Sequence, residues 1–376
     1  MNKKELELYI HIPFCVRKCS YCDFLSAPAT EQTREAYMAA LFAEIGGRAK
    51  DYSDRTVTSI FIGGGTPSLL SGEQIGQLMD RIREQFAMAQ DAEITMEVNP
   101  GTVSAEKLRN FYTAGINRLS IGMQSAQAEE LKNLGRIHDF EGFCQVYREA
   151  VEAGFTNINV DIMSGLPGQT LASYRDTLEK VLHLEPMPQH ISAYSLIVEE
   201  GTPFAAMAER GELPLPEEET ERAMYEETIE VLAKYGFHRY EISNYARDGY
   251  ECRHNVGYWI RRDYLGFGIG AASLIDNVRF QNEKSLGAYL AHPLESREEE
   301  QTLTVQDRME ETMFLGLRLT RGVSCVDFAE QYGRTVEEVY GEVIARNVAD
   351  GLLTVTERKE NQKKDRLLAL TKRGLD

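Results

Sequence analysis

The stretch "LYIHIPFCVRKCSYCDF" (residues 8–24) decides how the fold is interpreted, because a short apolar run leads directly into three closely spaced cysteines. Cys15, Cys19 and Cys22 form the pattern C-x3-C-x2-C immediately after this strand-like run. A closed tetrahedral metal site needs four ligands, so three thiols leave one position to be filled from elsewhere. The stretch therefore predicts a metal site with an open position at the end of a strand.

Two kinds of metal site are compatible with three thiols. A zinc ion would need a fourth ligand, for which His11 and Cys252 are candidates, although common zinc sites pair C-x2-C units. An iron–sulfur cluster normally takes thiolate ligands, and three of them would hold three irons of a [4Fe–4S] cube. We favour the cluster, with its fourth iron open to a small molecule, over a zinc-stabilised structural protein.

Composition limits the classes of partner. The chain has 376 residues, which suits a barrel-sized domain plus a smaller unit. Its formal net charge is −18, so nucleic acid is not expected as a partner. No apolar run approaches the length of a membrane span, and the N-terminus lacks the apolar core of a secretion signal. We therefore expect a cytoplasmic protein, in which clustered cysteines indicate metal or redox chemistry before disulfides.

Six short apolar runs alternate with helix-like segments in the first half of the chain. The runs are 8–14, 59–65, 93–100, 117–124, 157–167 and 190–198, and the helix-like segments are 33–49, 71–86, 104–114, 139–153 and 170–184. This alternation predicts a parallel sheet covered by helices. Six units are fewer than the eight of a closed barrel, so we predict an open, partial (β/α)6 barrel, with a doubly wound sheet as the alternative.

The pattern changes after residue 200. Residues 216–236 predict one amphipathic acidic helix, and the block from about 303 predicts helices followed by a hairpin around the charged turn "RKENQKK" (358–364). We therefore divide the chain into a core of residues 1–236, a middle segment of 237–300, and a C-terminal winged-helix-like α+β domain of 301–376. For that last domain we expect a packing or partner-docking role.

Polar and small residues gather at the predicted strand ends. Glu97, Gln124 and Asp161 each close an apolar run, and ligands of α/β proteins bind at the carboxyl ends of strands. Three successive glycines, 63–65, followed by Thr66, let the backbone approach a ligand closely. These residues predict a ligand site beside the cysteine loop.

The pattern "CVRKCSYC" after a strand, together with "GGGTP" (63–67), resembles the radical S-adenosylmethionine (SAM) superfamily. That resemblance implies a TIM-like radical-SAM barrel, with a [4Fe–4S] cluster on the three cysteines and SAM on the open iron. The motifs "YIHIPFC", "FIGGGTPS", "EVNP", "GMQS", "RIH" and "DIMSGLPGQT" are similar to those of the oxygen-independent coproporphyrinogen III oxidase family and its close relatives, the haem chaperones. The implied SAM-site residues are Tyr9, Tyr21, Gly63, Gly64, Gly65, Thr66, Glu97, Gln124, Arg136 and Asp161.

Two features favour the haem-chaperone branch over the oxidases. In the oxidases the third cysteine is followed two residues later by another cysteine, whereas this chain has Phe24 there. The segment "HNVGYW" (254–259) resembles the H-N-x-x-Y-W motif of the chaperone branch. The resemblance thus implies binding of haem and its delivery to apo-haemoprotein clients. Radical oxidative decarboxylation of coproporphyrinogen III is the alternative function, and we expect that activity to be absent.

The motif segment contains the candidate haem residues. His254 is the candidate axial ligand, because neutral imidazole binds iron, and Cys252 is a weaker candidate. Tyr258 and Trp259 could pack on a porphyrin face. Three flanking arginines are hypothesised to pair with the haem propionates: Arg253, Arg261 and Arg262. A histidine beside aromatic residues is also common as a packed core residue, so both interpretations stay open.

For the quaternary structure, we consider a homodimer of this chain.

Overall fold

Six parallel strands and the helices between them form the N-terminal part of the chain. The computed structural model describes residues 3–295, 297–360 and 363–375. The strands are β1 (Lys4–Ile12), β2 (Arg55–Gly64), β3 (Ala87–Val98), β4 (Arg118–Gln124), β5 (Ile158–Ser164) and β6 (His190–Ser195). The helices are α1 (Glu31–Arg48), α2 (Gly72–Gln85), α3 (Ala105–Thr113), α4 (Ala128–Leu134), α5 (Phe140–Glu152) and α6 (Leu171–Leu182).

The strands β1 to β6 are neighbours in sequence order and all pair in parallel. A doubly wound sheet would reverse its strand order next to β1, so that alternative is wrong and the partial (β/α)6 barrel is confirmed. The patterns missed two details. Strand β3 begins at Ala87, six residues before the predicted run, and the short helix α4 was not predicted.

The middle of the chain extends the same sheet at both edges. Its elements are α7 (Pro203–Glu209), α8 (Glu218–Lys234), β7 (His238–Arg239), β8 (Asn244–Ala246), α9 (Arg253–Trp259), β9 (Tyr264–Phe267), β10 (Ala272–Ile275), β11 (Val278–Asn282), α10 (Leu286–Ala291) and β12 (Arg297–Thr302). Strand β9 pairs in parallel with β1 and is followed by β10, β11 and β12 in antiparallel order. Strands β8 and β7 lie beyond β6. The sheet order is therefore β12-β11-β10-β9-β1-β2-β3-β4-β5-β6-β8-β7. The domain boundaries at 236 and 300 stay a prediction.

The C-terminal part has the element order of a winged helix. It consists of α11 (Val305–Gly316), β13 (Val323–Ser324), α12 (Cys325–Tyr332), α13 (Val336–Ala349), β14 (Leu353–Glu360) and β15 (Lys363–Leu370). These strands form an antiparallel sheet over a small core that contains Met309, Phe328 and Leu368. The predicted hairpin is thus present, although residues 361–362 of its charged turn lie outside the described residues.

The alternation of side chains along each barrel strand decides what the barrel can hold. On β1, Leu6, Leu8 and Ile10 are buried in the hydrophobic core. Glu7 and Tyr9 stand between them on the opposite face, as the strand period of two requires. The interior of the barrel is therefore polar, and the apolar core lies between the sheet and its helices. Among the described residues, every helix is too short or too polar to cross a bilayer.

Candidate functional site

The candidate site is a cavity of about 360 Å³ at the carboxyl ends of the barrel strands. The loops at this end of a barrel are the usual place for ligand-binding residues. Most residues predicted to bind the cluster or SAM line it: Cys15, Cys19, Tyr21, Cys22, Gly64, Gly65, Thr66, Glu97, Gln124, Arg136 and Asp161. A second cavity of about 370 Å³ adjoins the first, shares Phe24, Gly64 and Glu97 with it, and is lined by Tyr9 and Tyr258.

The cysteine loop is anchored at both flanks. The Cys15 amide donates to the carbonyl of Ala27 at 3.1 Å, and the Ser20 amide donates to the carbonyl of Leu134 at 3.1 Å. Two thiols have polar neighbours: Thr66 Oγ1 lies 3.5 Å from Cys15 Sγ, and Arg136 Nη1 lies 3.8 Å from Cys19 Sγ. The loop therefore holds its sulfur atoms at the cavity wall, with the Arg136 guanidinium beside Cys19.

The donor set fits an iron–sulfur cluster, because three thiols of one loop face one cavity. Burial raises the pKa of the Cys22 thiol, and the neighbouring Cys19 and Cys15 raise it further. Across the described residues, no group of three or more histidine, cysteine, aspartate or glutamate side chains is arranged to hold a metal ion. The three thiols are thus brought to one wall, and a cluster would have to draw them together.

The glycine run brings the backbone of β2 against the cysteine loop. The Gly65 amide donates to the carbonyl of Ile12 at 2.8 Å, and a β-carbon on Gly65 would come within 2.7 Å of the Phe14 carbonyl oxygen. Gly64 has φ +116, a conformation that favours glycine. A β-carbon on Gly63 would lie 3.2 Å from Glu97 Cδ. Each glycine therefore has a steric or conformational reason to lack a side chain.

Two carboxyl groups lie in the cavity wall. Glu97 Oε2 accepts from the Gly64 amide at 3.0 Å, and burial, together with the charge of Asp161, raises the pKa of Glu97 to about 8. Asp161 accepts from Asn159 Nδ2 at 2.7 Å and from Ser120 Oγ at 3.2 Å, and burial raises its pKa. Both groups face the cavity as acceptors for hydroxyl or ammonium donors.

A bulge at the end of β4 positions the guanidinium of Arg136, which is the cation beside the cysteine loop. The ladder between β4 and β5 shifts register between Gly122 and Gln124, and Gln124 has φ 68. Arg136 Nη2 donates to the Gly122 carbonyl at 2.6 Å and to Asn99 Oδ1 at 3.1 Å. These bonds hold the guanidinium beside the cysteine loop, where it can pair with a carboxylate.

The H-N-x-x-Y-W segment lies inside the barrel, as helix α9. We call the layer formed by Glu7, Ser59 and Glu93, which lie in register on β1, β2 and β3, the barrel floor. Glu93 caps α9, because its carboxylate accepts from the amides of Arg253 at 3.1 Å and His254 at 3.2 Å. The helix therefore closes the barrel on the side opposite to the cysteine loop.

His254 is a packed residue in this arrangement. Its side chain is 1% exposed and lies 5.3 Å from the ring of Phe61. Its Nδ1 lies 2.8 Å from Ser59 Oγ and its Nε2 lies 3.0 Å from Tyr258 Oη, so both ring nitrogens have partners. Burial lowers the pKa of His254 to about 3, which keeps the imidazole neutral. Ligation of haem by His254 stays a prediction, and it would require α9 to leave the barrel floor.

The other predicted haem residues are also engaged. Cys252 is fully buried 3.5 Å from Glu93, and burial raises the pKa of its thiol to about 12. Trp259 is half-buried under the Arg318 guanidinium, 4.3 Å from the ring centre. Each flanking arginine has an acidic partner: Arg253 with Asp91, Arg261 with Glu311, and Arg262 with Glu5 and Glu7. Haem propionates would therefore have to displace existing ion pairs.

The sequence interpretation missed the polar residues deeper in the cavity. Arg118, Ser120, Asn159, Ser192 and Asn255 all line it below the predicted SAM residues. Four of them stand at alternate positions of β4, β5 and β6, among apolar neighbours that face the helices. The strand period of two was the signal that could have identified them. Asn255 comes from α9, so the H-N-x-x-Y-W segment does reach the cavity, from below.

Comparison with known proteins gives consistent results. The model of the radical SAM superfamily matches residues 9–181, and that of the HemN C-terminal domain matches residues 303–359. The haem chaperone HemW of Bacillus subtilis is 40% identical over 92% of each chain, and that of Lactococcus lactis is 37% identical over 94% of this chain and 92% of its own. The structure of the radical SAM enzyme coproporphyrinogen III oxidase (HemN) from Escherichia coli superimposes with a TM-score of 0.83 and 28% identity, covering 97% of this chain and 87% of that one.

Proposed function

The chain belongs to the family of the haem chaperone HemW, within the radical SAM superfamily, and from this membership we propose that it binds haem and delivers it to apo-haemoproteins. It carries a [4Fe–4S] cluster and SAM in that role. The observation that carries the proposal is the cavity mouth itself. There the three cysteines line one cavity together with Glu97, Arg136 and Asp161, and Phe24 lines it at the position where the resemblance to the oxidases implies a further cysteine.

The residues at the cavity divide into those that would hold the cluster and those that would hold SAM. Cys15, Cys19 and Cys22 would hold the cluster, which supplies an open iron for the amino and carboxylate groups of SAM. The Gly64–Glu97 pair and Asp161 offer acceptors for its ammonium and ribose hydroxyls. Arg136 offers a cation for its carboxylate. These assignments are proposals that rest on the cavity wall and on the family.

Oxidation of coproporphyrinogen III is the second candidate, and one observation favours it. The oxidase HemN shares the fold over nearly the whole chain, with a TM-score of 0.83. Against it stands Phe24, which is 58% exposed at the mouth of both cavities in place of a polar thiol.

The test is a haem titration of the anaerobically reconstituted protein, followed by absorbance, beside an anaerobic assay with SAM, dithionite and coproporphyrinogen III. We expect saturable binding of about one haem per chain and no decarboxylation by protein whose cluster is intact. Absence of saturable haem binding would remove the chaperone function. Formation of protoporphyrinogen would establish the oxidase instead.

Three companion proposals have their own measurements. His254→Ala in the same titration tests whether this imidazole ligates haem, since an unchanged spectrum would place the ligand elsewhere. A homodimer would be seen by sedimentation of the reconstituted protein. A cytoplasmic location is checked by fractionation of cells that express the chain.

A further inference from the structure

Two loops at the carboxyl ends of neighbouring strands are joined beside the cavity by hydrogen bonds. Loop 65–71 follows β2, and loop 99–104 follows β3. Ser68 Oγ lies 2.7 Å from Thr102 Oγ1 and accepts from the amide of Asn99 at 3.0 Å. Thr102 Oγ1 donates to the carbonyl of Asn99 at 2.7 Å. Because Thr102 uses its one hydroxyl proton on that carbonyl, Ser68 donates in the bond between the two hydroxyls.

Lys107, in the first turn of α3, joins the same two loops. Its Nζ donates to the carbonyl of Ser68 at 2.5 Å and to the carbonyl of Thr102 at 2.9 Å. The position is unfavourable for a cation, because burial and the charge of Arg34 lower the pKa of Lys107 to about 8. The dipole at the start of a helix also disfavours positive charge. The two carbonyl contacts offset these costs. We call Ser68, Thr102 and Lys107 the loop clamp.

The loop clamp fixes Asn99 on both sides of its backbone, since Ser68 accepts from its amide and Thr102 donates to its carbonyl. The side chain of Asn99 contacts Arg136, whose Nη2 donates to Asn99 Oδ1 at 3.1 Å. The Nη1 of the same guanidinium lies 3.8 Å from Cys19 Sγ. Asn99 and Arg136 line the cavity, and the loop clamp lies behind that lining. A continuous series of contacts therefore connects the clamp to the cation of the cavity wall.

The other clamped loop also approaches the cysteines. Thr66, two residues before Ser68, has its Oγ1 at 3.5 Å from Cys15 Sγ. The carbonyl of Thr66 accepts from the amide of Leu69 at 3.0 Å, so Thr66 and Ser68 belong to one short turn. The clamp thus joins two loops that reach two different cysteines of the candidate site.

We propose that the loop clamp positions Arg136, through Asn99, for the carboxylate of SAM. The proposal rests on the SAM assignments of the proposed function. Asn99 Oδ1 and the Gly122 carbonyl are the two oxygen atoms that hold Arg136 Nη2. Without the clamp, Asn99 is free to turn and the guanidinium loses one of these two acceptors. A guanidinium held in place before the ligand arrives loses less conformational freedom on binding, so the clamp increases affinity.

The three clamp residues are therefore positioning residues, because they act through Asn99 and do not touch the ligand. A clamp that only stabilised the fold would predict a different result. Its removal would lower the Tm and leave the affinity for SAM unchanged. The affinity for SAM, and its dependence on Arg136, are thus the measurements that separate the two roles.

The test measures SAM binding by the reconstituted full chain in equilibrium dialysis. Thr102→Val removes the hydroxyl and keeps the branched shape, and Thr102→Ser keeps the hydroxyl. We expect Thr102→Val to weaken SAM by about fivefold to tenfold, the order expected for one lost hydrogen bond, and Thr102→Ser to bind it nearly as tightly as the wild type. Thr113→Val, which removes a hydroxyl at the other end of α3, is the matched control and should not change the affinity.

A double-mutant cycle tests whether the clamp acts through the guanidinium. Arg136→Gln alone should weaken SAM by about tenfold or more, since a charge-assisted hydrogen bond to the carboxylate is lost. In that background Thr102→Val should change the affinity by less than about twofold, because no guanidinium remains to be positioned. Lys107→Met should show the same pattern as Thr102→Val and provides a second variant if one does not fold. Methylthioadenosine, which lacks the carboxylate of SAM, should bind equally to the wild type and to Thr102→Val.

Each failure has its own signature. If the wild type binds no SAM, the cofactor assignment of the proposed function is wrong. If Arg136→Gln binds SAM as tightly as the wild type, the carboxylate does not lie on Arg136, and the positioning role is wrong with it. If Arg136→Gln weakens SAM but Thr102→Val and Lys107→Met do not, the proposed function stands and the clamp is only structural. Equal losses from Thr102→Val with and without Arg136 would also overturn the proposal.

Discussion

Gly257→Ala tests directly whether helix α9 is seated on the barrel floor. Gly257 is buried within the H-N-x-x-Y-W segment, and a β-carbon built on it would overlap the carboxylate of Glu7. The Glu7 side chain is itself fully buried, with Arg262 Nη1 at 3.3 Å and His254 Nδ1 at 3.9 Å. The added methyl group must therefore either pull the Glu7 carboxylate away from these partners or displace α9.

The expected magnitude follows from two opposing effects. Replacing glycine by alanine within a helix stabilises a protein by about 0.5–1 kcal/mol, because the unfolded chain loses conformational freedom. Overpacking a well-packed site costs about 1–3 kcal/mol. The net expectation for Gly257→Ala is a loss of about 1–2 kcal/mol in the free energy of unfolding. Gly76→Ala in α2 is the control, since nothing lies within 4 Å of its β-carbon position, and it should gain stability.

The assay is urea unfolding of the ligand-free protein, followed by tryptophan fluorescence. Trp259 is the only tryptophan and lies in α9, so the signal reports on the helix itself. A double-mutant cycle with Glu7→Ser should recover most of the loss, because it removes the overlapping carboxylate. If Gly257→Ala is as stable as Gly76→Ala, or if Glu7→Ser leaves its cost unchanged, α9 is not seated against Glu7 and the buried position of His254 is wrong.

Three further predictions concern the floor, the cavity mouth and the outer helices. Burial raises the pKa of Glu7 from its ordinary 4.5 to about 8, so its protonated form contributes stability that is fully present at low pH and is lost as pH rises toward about 8. Glu7→Gln should therefore flatten the fall in unfolding free energy across that window by up to about 1.4 kcal/mol per pH unit, measured in urea at several pH values. Gly65→Ala should displace the loop at Phe14 and weaken SAM binding by about tenfold, while the circular dichroism spectrum stays unchanged. If equilibrium dialysis shows that the variant binds SAM as tightly as the wild type, the close approach of Gly65 to Phe14 is contradicted. Ser71→Ala removes the capping box that Ser71 forms with Gln74 and should lower stability by about 1 kcal/mol while haem binding stays intact.

Local features explain why much of the barrel was predictable. The apolar runs and the capping box at Ser71 act through residues close in sequence, so their structural meaning can be inferred without the fold. The glycines at 63–65 stand out in the sequence, but the groups that approach them, such as Phe14 and Glu97, are identified only by the fold. The strand–helix alternation predicted a parallel sheet, because parallel neighbours need a helical crossover between them, and the sequential order of β1 to β6 then decided between the partial barrel and the doubly wound sheet. The early start of β3 was missed, since "AMAQDA" (87–92) lacks a continuous apolar run.

The chemistry of the cavity mouth could be inferred from the amino-acid sequence alone. The spacing of Cys15, Cys19 and Cys22 places three thiols on one short loop, and the covalent chain alone guarantees that they stay together. The positions at which the remaining polar residues act became visible only in the folded protein. His254 lies 2.8 Å from Ser59, a residue 195 positions away in the chain, and Arg118, at the bottom of the cavity, forms no ion pair with any of the described residues. Whether a buried polar group is satisfied depends on atoms from other strands and helices, so it is settled by packing and not by the neighbouring residues.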